Sequence, residues 1–227
     1  MKKNILFLTA ILLFISCSKD NENGGVSLTF KGHNHTLKSA TVFAEADVSI
    51  TDFRLSIRDV EFKMDESDLD SSEVEFRGPF DVDLMNETGP LSQTIGNVEI
   101  PSGTYKVLRF KLHKSRDRAS TDPLFDRSLY LEGTINGTPF EFWHDTSENF
   151  DTEKSGGIVV SDNEVDVVVQ FNIDQFLSSL HIIDLSQATD SDEDGLIEIN
   201  PDNDDDNGDI ADALKENIKE AADLIKL

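Results

Sequence analysis

Between Val26 and Ile173 the chain alternates apolar and polar residues in short runs broken by turn formers. Val26-Ser-Leu-Thr-Phe30 places Val26, Leu28 and Phe30 on one face of a strand, and Val42 to Val48 repeats the pattern. In the run from Phe53 to Phe62, Phe53, Leu55 and Ile57 share a face, but Val60 and Phe62 fall out of phase after Arg58-Asp59. One extra residue there, a bulge, restores the alternation. Glu66 to Ser72 reads as an acidic loop. Val74–Phe76 and Phe80–Leu84 read as two strands divided by Gly78-Pro79. Pro101 and Gly103 turn the chain into a strand from Tyr105 to Leu112. Asn136-Gly137 separates the runs Leu129–Ile135 and Thr138–Trp143, and both residues tolerate positive φ, so this stretch predicts a hairpin. Val165 to Ile173 is apolar enough for a central strand. Closely spaced strands of this kind predict a mainly β protein, an antiparallel β-sandwich.

The period changes near the C-terminus. Gln175 to Leu180 suits a short helical turn. Ile210, Ala213, Leu214, Ile218, Ala221 and Ile225 mark one face of a C-terminal α-helix over about Asp209 to Leu227, with Asp209 or Asn207 as its cap. Its apolar stripe is expected to pack on the sandwich.

The N-terminus has another logic. Lys2 and Lys3 precede an apolar run of 11 residues, Ile5 to Ile15, broken only by Thr9. That is a secretory signal and too short for a stable membrane span. Ser16 then precedes Cys17, the one cysteine of the chain. Leu13-Phe14-Ile15-Ser16-Cys17 resembles the lipobox of bacterial lipoproteins, in which the cysteine is acylated and becomes the first mature residue. Acylation of Cys17, palmitate included, would anchor the chain to a membrane. With a single thiol, an intramolecular disulfide and a cysteine-based metal site are both excluded. The organisation expected is a signal peptide over 1–16, a flexible tether over 17–25, a β-sandwich over 26–185, and acidic loops with the helix over 186–227. Ser18-Lys19-Asp20-Asn21-Glu22 resembles the short charged stretch after the lipidated cysteine in surface-exposed lipoproteins of Bacteroidetes-type bacteria.

Charge narrows the partners. The formal net charge is −25, which opposes nucleic acid and anionic headgroups and is compatible with cations. No Lys or Arg occurs between Lys154 and Lys215, where 16 Asp and Glu stand. Asp190-Ser-Asp192-Glu-Asp194-Gly195-Leu196-Ile197 matches the first eight positions of a calcium loop. Carboxylates at positions 1, 3 and 5 converge because the glycine at 6 permits the turn. Leu196 would add its carbonyl, and Glu198 holds position 9. Position 12, the bidentate acid of a helix–loop–helix site, is Pro201, which predicts reduced affinity. Asn203-x-Asp205-x-Asn207-Gly208-x-Ile210 repeats the spacing 13 residues on and also lacks the closing acid. Oxygen donors without Cys or His favour a structural Ca²⁺. The competing expectation is a solvated acidic linker.

Other candidates are thinner. Trp143 and His144 follow Phe140 and Phe142 and could form a ligand edge, or sit as core aromatics at a strand end. His33 and His35 could share a strand face, but no third metal ligand accompanies them. No nucleophile motif, phosphate loop or His-rich metal site is present, so no catalytic residues are assigned.

Ile57-Arg-Asp-Val60-Glu, the run Phe80-Asp-Val-Asp-Leu84, and Ile100-Pro-Ser-Gly-Thr-Tyr105 leading to Leu108-Arg109-Phe110 resemble a domain-of-unknown-function family of bacterial lipoproteins with a β-sandwich fold. The resemblance implies an immunoglobulin-like or transthyretin-like sandwich in the cell envelope and no known activity. The function expected is a non-enzymatic protein anchored by lipid to the outer membrane, a binding module for an unknown protein or glycan. A carbohydrate-binding surface lipoprotein and a pilus- or adhesin-type structural subunit are the alternatives. Which side of the membrane it faces is left open.

Overall fold

The computed structural model describes residues 23–33, 46–64, 74–178 and 184–226. Cys17, the signal segment, His35, the start of the Val42–Val48 run and the acidic loop at Glu66–Ser72 lie outside the described residues. The described chain is mainly β, two facing sheets with a helix near the C-terminus.

The first sheet is built from β1 (Asn23–His33), β5 (Ser92–Pro101), β10 (Val165–Asn172) and β12 (Ala222–Lys226), in the order β12-β10-β1-β5. The second contains β2 (Val48–Lys63), β3 (Val74–Asn86), the short β4 (Gly89–Pro90), β6 (Gly103–Leu112), β7 (Leu129–Ile135), β8 (Thr138–His144), β9 (Asn149–Val160) and β11 (Ile197–Ile199). Pairing is antiparallel except for β1 with β10 and β11 with β8. Those two parallel pairs interrupt the uniformly antiparallel arrangement expected from the strand pattern. They arise because β1 and β11 reach their partners by long excursions, not by hairpins.

Each inner face is a row of alternate residues. Phe30 meets Phe110 edge-on at 6.1 Å and Phe171 in a stack at 6.1 Å, so the two sheets are joined through aromatic rings. Phe53 stacks at 5.2 Å on Phe176, carried by the short helix α1 (Ile173–Ser178), which covers one end of the core. Full burial of a Phe contributes about 1.5–3 kcal/mol relative to exposure, and nine phenylalanines are among the largest fully buried side chains.

Several local expectations are met at the stated residues. The register of β2 slips between Ile57 and Asp59 against both β3 and β6, the bulge that the phase change at Arg58-Asp59 implies. Asn136 and Gly137 have φ of 52° and 84° and close the β7–β8 hairpin, while the Asn136 side chain accepts from Asp47 N. Gly78-Pro79 does not divide two strands. β3 runs through it, and the missing side chain of Gly78 lets the backbone of β2 come close, since an added Cβ would lie 2.5 Å from Arg58 O.

Both boundaries of the sandwich move outward. The tether expected to reach residue 25 ends earlier, since Asn23, Gly24 and Gly25 pair with Pro101, Ile100 and Glu99. Residues beyond 185 complete both sheets through β11 and β12, so 185 is not a structural division. The C-terminal helix, α2 (Gly208–Ala221), begins as expected and stops six residues early. Ala222 and Leu224 then alternate inward and pair with β10. Ala211, Leu214, Ile218 and Ala221 bury the helix stripe, and Asn217 fixes it by donating to Phe176 O at 3.0 Å.

Candidate metal centre

The stretch from Thr189 to Asn207 lies between a single 3-10 turn (Leu185–Gln187) and α2. It is pinned by β11, whose buried Ile197 and Ile199 face the core and pair in parallel with Phe140 and Phe142. On this support the first acidic loop closes on itself. Asp190 Oδ2 accepts from Gly195 N at 2.9 Å, and its Oδ1 accepts from Asp194 N at 3.1 Å. Asp192 Oδ1 accepts from Asp194 N at 3.1 Å, and Asp194 Oδ1 from Leu196 N at 2.8 Å. Gly195 has φ of +93°, a conformation that a side chain would strain. The outcome is that Asp190, Asp192 and Asp194 each offer one carboxylate oxygen, all within 4.8 Å of one another. Asp190 is half-buried and the other two are exposed.

Three like charges at this separation repel unless a cation lies among them. An all-oxygen donor set of hard carboxylates fits Ca²⁺ or Mg²⁺ rather than zinc. Glu198, at position 9, is half-buried next to this group. Burial raises its carboxyl above the usual range, and Asp204, Glu141, Asp205 and Asp194 add to the rise. The field around the loop is thus one-signed on several sides.

The second loop does not repeat the arrangement of the first. Asn203 Oδ1 accepts from Gly208 N at 2.6 Å, which matches the Asp190–Gly195 closure five residues apart. Asp205 and Asn207, expected as ligands, turn away into the first loop and are buried. Asp205 Oδ1 accepts from Ser191 N at 2.9 Å and Asp192 N at 3.4 Å, and Oδ2 from Glu198 N at 2.8 Å. Asn207 donates to Thr189 O and Glu198 O, both at 2.8 Å, and accepts from Thr189 N at 3.0 Å. Burial would raise the Asp205 carboxyl, but the Glu198, Ser191 and Asp192 amides hold it below the usual carboxylate range. Asp205 and Asn207 therefore brace the first loop, whereas Asn203 closes its own turn on Gly208. The spacing of the sequence could not separate these roles, because an Asp that binds amides and one that binds a cation look alike.

At the end of β8, Trp143 is half-buried and His144 is buried. The Arg127 guanidinium lies 4.6 Å from the centroid of Trp143 and covers one ring face. His144 is buried where β8 ends under α2. Its ring nitrogens stand 3.8 Å from Asp145 and 3.6 Å from Asp212, too far for hydrogen bonds. Burial and the Lys215 charge lower its pKa, against the opposing pull of Asp145 and Asp212.

Two features escape a reading of spacing. Arg54 and Arg118 tie Asp52, Asp81, Asp83 and Asp122 into a half-buried network that fastens the long loop after β6 onto β2 and β3. The alternating acids Asp81 and Asp83 were its one visible signal. The outer face of the first sheet holds a shallow cleft of about 290 Å³ lined by Ser27, Thr29, Lys31, Thr94, Asp166 and Gln170, among others.

Residues 40–187 match the family described as Domain of unknown function (DUF4382). The chain belongs to the DUF4382 family. No curated protein and no solved structure matches it. The DUF4382 match covers β2 to β10 and ends just before the acidic loops, so the candidate metal centre lies outside the matched residues. Among the described residues no helix is long and apolar enough to cross a membrane.

Proposed function

We propose that this DUF4382 protein is a non-enzymatic lipoprotein of the cell envelope, held by an acyl group on Cys17, whose sandwich carries a calcium-ordered loop and serves as a binding module. The export signal and the lipobox-like Leu13-Phe14-Ile15-Ser16-Cys17 support an outer-membrane location. The convergence of Asp190, Asp192 and Asp194 on a loop braced by Asp205 carries the calcium part of the reading. Ca²⁺ would neutralise the three carboxylates and hold the loop in one conformation. On this reading its role is structural, to order the loop against β11. Glycan stacking on Trp143 is disfavoured by the guanidinium on its face.

The test is thermal unfolding in excess calcium and in chelator, with the Asp190→Ala/Asp192→Ala double variant beside the parent. A ligand at about 100 times its Kd stabilises by roughly 2.7 kcal/mol. For a domain of this size that raises Tm by roughly 5–10 °C. The proposal requires the rise in the parent and its loss in the double variant. Superimposable melting curves in all four samples would leave the stretch as an acidic linker.

A further inference from the structure

The point at which the chain enters the sandwich determines which end a lipid on Cys17 would hold. β1 begins at Asn23, opposite Pro101, where β5 ends. The β9–β10 turn is at the same end, since an added Cβ on Gly24 would fall 1.8 Å from Ser161 O. Ser18 to Glu22 are the only residues between Cys17 and Asn23. Six backbone steps reach at most about 22 Å.

Strand register carries the acidic loop the other way. β6 leaves this end at Gly103, opposite Val160, and runs to Leu112, which pairs with Ile57 of β2. β2 continues beyond that point from Ile57 back to Val48, which pairs with Ile135 at the end of β7. Those nine residues extend the sheet by roughly 30 Å if straight, and less where the bulges bend it. The extension carries the β7–β8 hairpin and β11, with Ile197 beside Phe140. The Asp190–Leu196 loop feeds the outer end of β11. α2 then returns toward the middle of the sandwich, where Lys215 reaches Glu148 at 3.4 Å and Lys219 lies 5.8 Å from the Phe150 ring.

The near end carries acidic residues. Glu99, Asp162 and Glu164 are exposed there, and carboxylates are repelled by anionic headgroups. On the acylation reading, attachment at this end comes from the acyl chains.

We propose that the molecule stands end-on on the bilayer, with Asn23, Pro101 and the Ser161–Glu164 turn next to the headgroups and the acidic loop at the remote end. The arrangement rests on the reading that Cys17 is acylated. It points the acidic loop and the β7–β8 hairpin away from the membrane surface.

The test uses the full lipoprotein reconstituted in phosphatidylcholine vesicles that contain a headgroup nitroxide lipid. Because Cys17 is the only native cysteine and is consumed by acylation, Asn163→Cys and Asp202→Cys each supply one free thiol for a fluorophore. Both positions are exposed turn residues, and unchanged melting of each labelled variant shows that it is folded. The label at 163 is expected to be quenched at least threefold more than the label at 202. Equal quenching, or stronger quenching at 202, in protein that floats with the vesicles overturns the end-on arrangement while leaving acylation intact. Failure of either protein to float with vesicles overturns the acylation reading, and the orientation with it.

Discussion

Single residues show how one side-chain type takes different tasks by burial. Asp192 and Asp205 both stand at position 3 of their acidic loops, yet Asp192 is exposed and Asp205 is buried among three amides. Sequence spacing assigns both to a cation, and only the direction in which the chain folds back separates them. His144 is a similar case. It reads as a strand-end histidine open to a ligand, but α2 covers it. Asp145 and Asp212 face its ring, Lys215 adds a positive charge from α2, and Lys114 pairs with Asp145. Its folded pKa is depressed, so the native state prefers the neutral ring. Its contribution to stability is complete above the free imidazole value of about 6.5 and is lost as pH falls below it. Tm is therefore expected to fall between pH 7.5 and pH 5.5, in chelator, and to fall less in His144→Gln. Equal slopes in the two proteins would show that other groups carry the pH dependence.

Elements were legible in proportion to how far a single period governs them. The β7–β8 hairpin, the bulge in β2 and the start of α2 follow directly from alternation, from Asn136-Gly137 and from the apolar stripe at Ile210, Leu214 and Ile218. β5 and β9 were missed, because their inward residues are sparse and half their positions are exposed. The end of α2 was also missed. Ala221-Ala-Asp-Leu-Ile225 satisfies a helical and a strand period alike, and pairing with β10 decides between them. The pair of acidic loops is one element in the structure, joined through Asp205. Asp205→Ala would leave the amides of Ser191, Asp192 and Glu198 without their buried acceptor. The expected loss is about 3 kcal/mol, read by chemical denaturation in chelator. An unchanged denaturation midpoint would mean that the loops do not depend on this brace.

At the scale of the molecule, the DUF4382 sandwich supplies a rigid body and the acidic region a one-signed surface at the end remote from Asn23. The fold class was legible because strand alternation is repeated many times and errors at single strands do not alter it. The chain order of the sheets was not legible, since the parallel pairing of β1 with β10 joins residues far apart in sequence. The central claim is that the first loop holds a calcium ion, and calorimetric titration of Ca²⁺ into metal-free protein tests it most directly. Without a bidentate acid at position 12, where Pro201 stands, a dissociation constant on the order of 10⁻⁴ to 10⁻³ M is expected. The account predicts saturable binding near one ion per chain, abolished by Asp190→Ala/Asp192→Ala. Titration heats no larger than those of the double variant would contradict it.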